Sequence, residues 1–228
     1  MNVIVDNFSD ILQAFWLNLR LAFFSGVLAL ILGTLLAAFR VSPVPILRGV
    51  GTVWVSVIRN TPLTLITTFM LLGASYQLGI KFSDTIYKNA FWLAVTGFSI
   101  YTAAFVCEVL RAGINTVPVG QSEAARSLGF TFSQNLRMVI LPQAFRVVIA
   151  PLGSTLIALI KNTTIAVVIG VTTAKGLYES SGEMRKLIEF NGDQTLLIFA
   201  VFALGFVIIN LPIGLLTSWA AKRLGGVR

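Results

Sequence analysis

Histidine is absent from this 228-residue chain, and cysteine occurs once, as Cys107. A single thiol excludes a disulfide framework within the chain. One thiol with no imidazole also excludes the usual zinc and haem ligand sets. Cys107, inside an uncharged run, reads as small apolar packing. Charge is scarce too: Asp, Glu, Lys and Arg make up 11% of residues, against about 25% in a soluble domain. So few charges cannot coat a soluble protein, since these are the side chains that stay at the surface. An ordinary cytosolic enzyme and a disordered chain are thereby excluded. A nucleic-acid binder is excluded as well, because the net charge of +8 is scattered along the chain and builds no polar recognition face.

What the chain has is hydrophobic sequence, 56% of residues. Stretches without Asp, Glu, Lys or Arg cover residues 21–39, 60–80, 89–107 and 194–221, and 147–174 is interrupted only by Lys161. A helix needs about 20 apolar residues to cross the hydrocarbon core. The expectation is an all-α integral membrane protein with five transmembrane helices, at about 14–39, 60–80, 89–108, 147–174 and 194–221. The runs are apolar on every face and lack the alternation of a β-barrel. Helices follow because lipid offers the backbone no hydrogen-bond partner. A cleaved signal peptide is not expected: the chain begins with Asp6 and Asp10, and its first arginine is Arg20.

The connections sort by charge. One set holds Arg40, Arg48, Arg111, Arg126, Arg137, Arg146, Lys222, Arg223 and Arg228 against Glu108 and Glu123, net +7. The other set comprises the N-terminus and the 81–88 and 175–193 loops, and sums to −2. The positive-inside rule places the first set in the cytoplasm, with the N-terminus outside and the C-terminus inside. An odd number of spans argues against an inverted repeat within the chain. The chain is expected to be a single transmembrane domain over residues 1–228, and a transporter of this size would form its pathway with a second subunit.

The cytoplasmic segment at about 111–146 is too apolar and too patterned for a passive linker. Gln121–Leu128 favours helix, and Gly129 is placed to end it in the left-handed conformation. Thr131 and Gln134 fit a capping box opening a second helix from Phe132 toward Ile140. Pro142 marks a start or kink before the fourth span. Small residues, Ala124 and Ala125, suit a helix that enters a partner's groove, with Glu123 and Arg126 fixing its orientation. An interfacial pair that only supports the bundle fits equally well.

The spacing of Glu123-Ala124-Ala125, Gly129, Val139 and Leu141-Pro142 resembles the EAA motif of ABC importer permeases. Only Val139 departs, where the pattern usually has Ile. Gly120 and Gln121 beside it, with Tyr101, Glu108, Arg111, Gly113, Arg59 to Leu63 and Lys161 to Thr164, resemble the polar amino-acid branch, and within it the glutamate-uptake type. The likeness covers roughly residues 10–222. It implies a type I importer permease fold that pairs with a second permease subunit, identical or related. It also implies two cytoplasmic ATPase subunits and an extracytoplasmic amino-acid-binding protein. Gly120, Glu123, Ala124, Ala125, Arg126, Gly129, Leu141 and Pro142 would then form the ATPase-coupling element. No cofactor is expected in the chain: Gly170 to Lys175 lacks the order of a phosphate loop. ATP and Mg would belong to the partner ATPase.

Charges within the bilayer are functional candidates by default. Arg20 is placed to snorkel to the outer interface. Arg59 lies about 15 Å inside if the second span starts near Gly49, and at the cytoplasmic boundary if it starts at Pro62, residues 42–58 then forming an interfacial helix. Lys161 with Asn162, Thr163 and Thr164 forms a polar cluster expected to face the bundle interior or a cavity. Together with Arg59 and Thr61 these are the substrate-path candidates, for contact with a substrate carboxylate or for an interhelical network. Glu108 is the only acid between the span boundaries, so an anionic or neutral amino acid is favoured over a cationic one. An ATP-independent transporter or channel, and a non-transporting assembly factor, are the competing readings.

Overall fold

A computed structural model describes residues 2–225; Arg228, counted above among the cytoplasmic basic residues, lies outside them. The described residues form ten α-helices: α1 (Asn2–Asp6), α2 (Phe8–Val41), α3 (Pro45–Arg59), α4 (Leu63–Thr68), α5 (Ile86–Asn115), α6 (Val119–Ser127), α7 (Phe132–Asn135), α8 (Leu141–Asn162), α9 (Ser180–Phe190) and α10 (Thr195–Gly225). Four helical stretches are long and apolar enough to cross a membrane: Phe8–Val41, Ile86–Asn115, Phe132–Ile169 and Gly192–Leu224. The pair Pro45–Arg59 and Leu63–Gln77 qualifies only jointly and is bent by 99°. The break falls at Asn60 to Pro62, where proline removes a backbone donor and starts the next helix. The stretch expected as a span over 60–80 is thus a shorter helix joined at a corner to an amphipathic one. Its second part, Phe69–Gln77, is wound as π-helix.

Helix ends alternate in space. A buried cluster at one end joins Ile11 and Phe15 of α2 to Ile198 and Phe202 of α10. At the other end the C-terminal parts of α2, α5 and α10 meet the start of α8 around one cavity. α6 and α7 lie at that second end, so the two ends of the described chain sit at opposite poles. Close crossings use glycine: a methyl on Gly33 would collide with Val106, and one on Gly153 with Thr217. Such small residues let helix backbones approach where lipid supplies no hydrophobic drive. Cys107 is fully buried beside Ala37, Val55 and Ala104.

Of the two readings of Pro142, start or kink, the structure has the second, and the reading of 175–193 as a loop is corrected. The second hairpin helix does not end before the fourth span. It runs on from α7 through a π turn, Leu136–Ile140, into α8, which carries Pro142 in its first turn. Proline clashes with the carbonyl four residues earlier, here that of Met138. A π turn at that point widens the helix and accommodates the ring. The 175–193 segment, read as an external loop, contains α9, and Glu179 and Glu183 are fully buried.

Glu179 caps α9, accepting from the backbone N–H of Ser181 at 2.9 Å and of Gly182 at 3.0 Å. Asn18 Nδ2 donates to Glu179 at 3.2 Å and to Thr163 Oγ1 at 2.9 Å, and Asn18 Oδ1 accepts from the Ser180 N–H at 2.8 Å. The network locks α2, the end of α8 and α9 together. Burial pushes the Glu179 carboxyl up from the ordinary 4.5 to about 7, against the opposing pull of those hydrogen bonds. A carboxyl raised in this way holds its proton more tightly folded than unfolded. Its contribution to stability is complete below about pH 4.5 and is lost as pH rises through about 7. Thermal stability in detergent should therefore fall between these values, and Glu179→Gln should flatten the fall. An unchanged slope in the variant would contradict the assignment.

Candidate functional site

The hairpin at the second pole is built by two local signals. α6 ends in a Schellman motif: the N–H of Phe130 donates to Ala125 O at 3.1 Å and that of Gly129 to Arg126 O at 2.9 Å. Gly129 takes φ +86°, a conformation that glycine adopts without penalty. α7 opens with the expected capping box: Gln134 N donates to Thr131 Oγ1 at 3.3 Å, and Thr131 N to Gln134 Oε1 at 2.9 Å. Asn135 Nδ2 then donates to Ser122 Oγ at 2.6 Å, and Gln143 Nε2 to Gln121 Oε1 at 2.7 Å. The first bond pins α7 to α6, and the second pins the start of α8 to α6.

Gly120, Glu123, Ala124, Arg126 and Gly129 are exposed on this hairpin. So are Leu141 and Pro142 at its continuation into α8. Leu128 is 78% exposed, and Val119 and Phe132 also face outward. Ala125 is different: it is buried within its own chain and cannot enter a partner's groove as expected. On a helix its neighbour Ala124 points elsewhere, and Ala124 alone is presented outward.

The polar cluster at 161–164 divides. Lys161 is exposed. Thr163 is fully buried in the Asn18 network. Thr164 Oγ1 bonds back to Lys161 O at 2.7 Å. Asn162 lines a groove of about 280 Å³ between α5 and α8, with Tyr101, Thr102, Phe105, Ser154 and Thr155. Successive helical residues do not share a face, so a run of four polar positions cannot form one surface. Ser154 and Thr155 donate to carbonyls four residues back, at 3.3 and 2.9 Å, which leaves their oxygens as acceptors. The groove contains no carboxylate. Sequence reading singled out Tyr101 only by resemblance and passed over the hydroxyls, which carry no charge to mark them within an apolar run.

Arg59 and Thr61 sit at the corner between α3 and α4. Thr61 Oγ1 donates to Val57 O at 2.8 Å. The Arg59 guanidinium lies 5.7 Å from the ring centre of Phe105, which places it beside the groove. It also pairs with Glu108 at 3.2 Å. The same carboxylate pairs with Arg40, whose side chain is 10% exposed, and with Arg111 at 3.3 Å. One acid thus joins α2, α3 and α5 at the hairpin end. Arg40, Arg59 and Glu108 lie far apart in sequence, with Arg111 one turn from Glu108, and the charge sorting placed Arg40, Glu108 and Arg111 on one side but left Arg59 unassigned. At the opposite end Arg20 is exposed, 5.3 Å from the Phe91 ring centre.

Residues 29–226 match the family described as "Binding-protein-dependent transport system inner membrane component". Two "Glutamate transport system permease protein GluC" sequences are similar over nearly the whole length. That of Corynebacterium efficiens is 50% identical, covering 90% of each chain. That of Corynebacterium glutamicum is 48% identical, covering 94% of each. A solved structure titled "Crystal structure of an amino acid ABC transporter with histidines" superposes with a TM-score of 0.82 at 26% identity, over 96% of both chains. A MetNI methionine ABC transporter in an inward-facing form, at 18% identity and a TM-score of 0.68, shares the fold. With a helical bundle of this length and a matching profile over most of it, the chain belongs to the family of inner-membrane components of binding-protein-dependent transport systems.

Proposed function

We propose that this chain is the permease subunit of an ATP-driven importer for glutamate. The observation that carries the reading is the exposed hairpin, turned at left-handed Gly129 and presenting Glu123, Ala124 and Leu128 outward. It is shaped as a rigid knob for a soluble partner, the ATPase that binds ATP and Mg and performs hydrolysis. The chain crosses the membrane five times as one domain, N-terminus outside and C-terminus inside, with the bent α3–α4 pair supplying the second crossing. A second permease subunit faces it, and an external binding protein delivers substrate.

Two things support glutamate: the GluC relatives and the acid-free groove. The Asn162 amide and the Tyr101 and Thr102 hydroxyls offer donors to a carboxylate. Lys161, one residue along the helix from Asn162, adds the nearby positive charge that a cationic substrate would avoid. Lys161→Ala is expected to lower glutamate uptake severalfold while leaving the amount of assembled complex unchanged. Asn162→Leu should do the same through the groove itself. Wild-type uptake kinetics in the lysine variant would remove Lys161 from the path.

A further inference from the structure

A cavity of about 1100 Å³ lies at the hairpin end between α2, α5, α8 and the C-terminal end of α10. Its walls are almost wholly aliphatic, and Ala37, Ala144 and Val148 are buried in it. Two guanidiniums, Arg146 and Arg223, also line it, and no acid does. Both arginines are exposed, so charge lies at the outer margin and hydrocarbon within. Neither pairs with a carboxylate among the described residues. The Arg223 guanidinium stands 5.1 Å from the ring centre of Trp219, an aromatic suited to the membrane interface.

We propose that this cavity is a binding site for an anionic phospholipid. The acyl chain fills the aliphatic trough, and the phosphate is held between Arg146 and Arg223. Basic pockets between membrane helices recognise headgroups in this way. A second copy of the chain could cover the apolar wall, but it brings a net charge of +8 to two guanidiniums, so charge complementarity favours an anionic lipid. A zwitterionic lipid offers its phosphate together with a cationic headgroup, which two adjacent guanidiniums repel, so a net anionic headgroup is preferred. The cavity is bordered by Leu141 and Pro142, where the hairpin runs into α8, and by the ends of α2 and α10. An occupant there braces the base of the hairpin against the bundle. Which leaflet supplies the lipid rests on the orientation proposed above; the binding itself does not.

The test uses the full-length chain purified from membranes in mild detergent and exposed to mixed vesicles of phosphatidylglycerol and phosphatidylcholine. Retained lipid is then read by mass spectrometry. The wild type should hold phosphatidylglycerol in preference. Losing two arginines at about 1 kcal/mol each should weaken that retention about thirtyfold in the Arg146→Gln/Arg223→Gln variant. Thr34→Trp, which fills the trough without touching the charges, should lose the lipid as well. Arg48→Gln, exposed on α3 and outside the cavity, should not. Equal retention in wild type and the double arginine variant overturns the proposal. So does efficient cross-linking of two copies through Thr34→Cys, which assigns the trough to a subunit interface. A chain that fails to transport glutamate yet retains lipid in this pattern leaves the site standing and only the transport reading refuted.

Discussion

Gly129→Val is expected to cut ATP-driven uptake by about tenfold or more while the chain still reaches the membrane. Gly129 holds φ +86° at the hairpin turn. A side chain in that conformation costs about 1–2 kcal/mol, and a branched one more. A penalty of about 1.4 kcal/mol is a factor of ten in the population of the correct turn. The turn sets where Glu123 and Leu128 stand, so substrate-stimulated ATP hydrolysis should fall with uptake. Gly129→Asn, whose side chain tolerates the left-handed region, should retain most of both. Adding Glu123→Ala to the valine variant should complete the uncoupling. Normal uptake in that double variant would remove the hairpin from coupling.

The second large effect belongs to Glu108. Its side chain is 22% exposed and meets three guanidiniums. Glu108→Gln leaves Arg40, the most buried of them, without its charge partner. Removing one member of this part-buried pair costs about 2 kcal/mol, less than for a fully buried pair. The half-exposed Arg59 adds little to that. For a chain of this size the loss corresponds to a drop of about 4–8 °C in melting temperature. The Arg40→Gln/Glu108→Gln double variant should be more stable than the sum of the single losses predicts. Strictly additive losses would show that the cluster is not a coupled unit.

Sequence patterning reached the hairpin almost to the residue. Gly129, Thr131 and Gln134 act through neighbours within four positions, and such local chemistry is written in spacing. It also reached the corner at Pro62, since proline fixes its own backbone. It failed where partners are distant. α9 looked like a loop because charge within 175–193 suggested solvent, yet Glu179 is buried and takes a hydrogen bond from Asn18, 161 residues away. The Glu108 cluster failed for the same reason. The groove failed differently: Thr102, Ser154 and Thr155 carry no charge and vanish in an apolar run. At Pro142 the sequence left a start and a kink open, because the π turn that carries the helix through leaves no local signature.

The central claim is that this chain moves glutamate only when a separate ATPase drives it through the hairpin. Labelled-glutamate uptake into proteoliposomes holding the chain, its partner permease if any, the ATPase and the binding protein tests that claim most directly. ATP-dependent uptake that disappears when the ATPase subunit is omitted is the expected result. Uptake that persists without the ATPase would contradict the account.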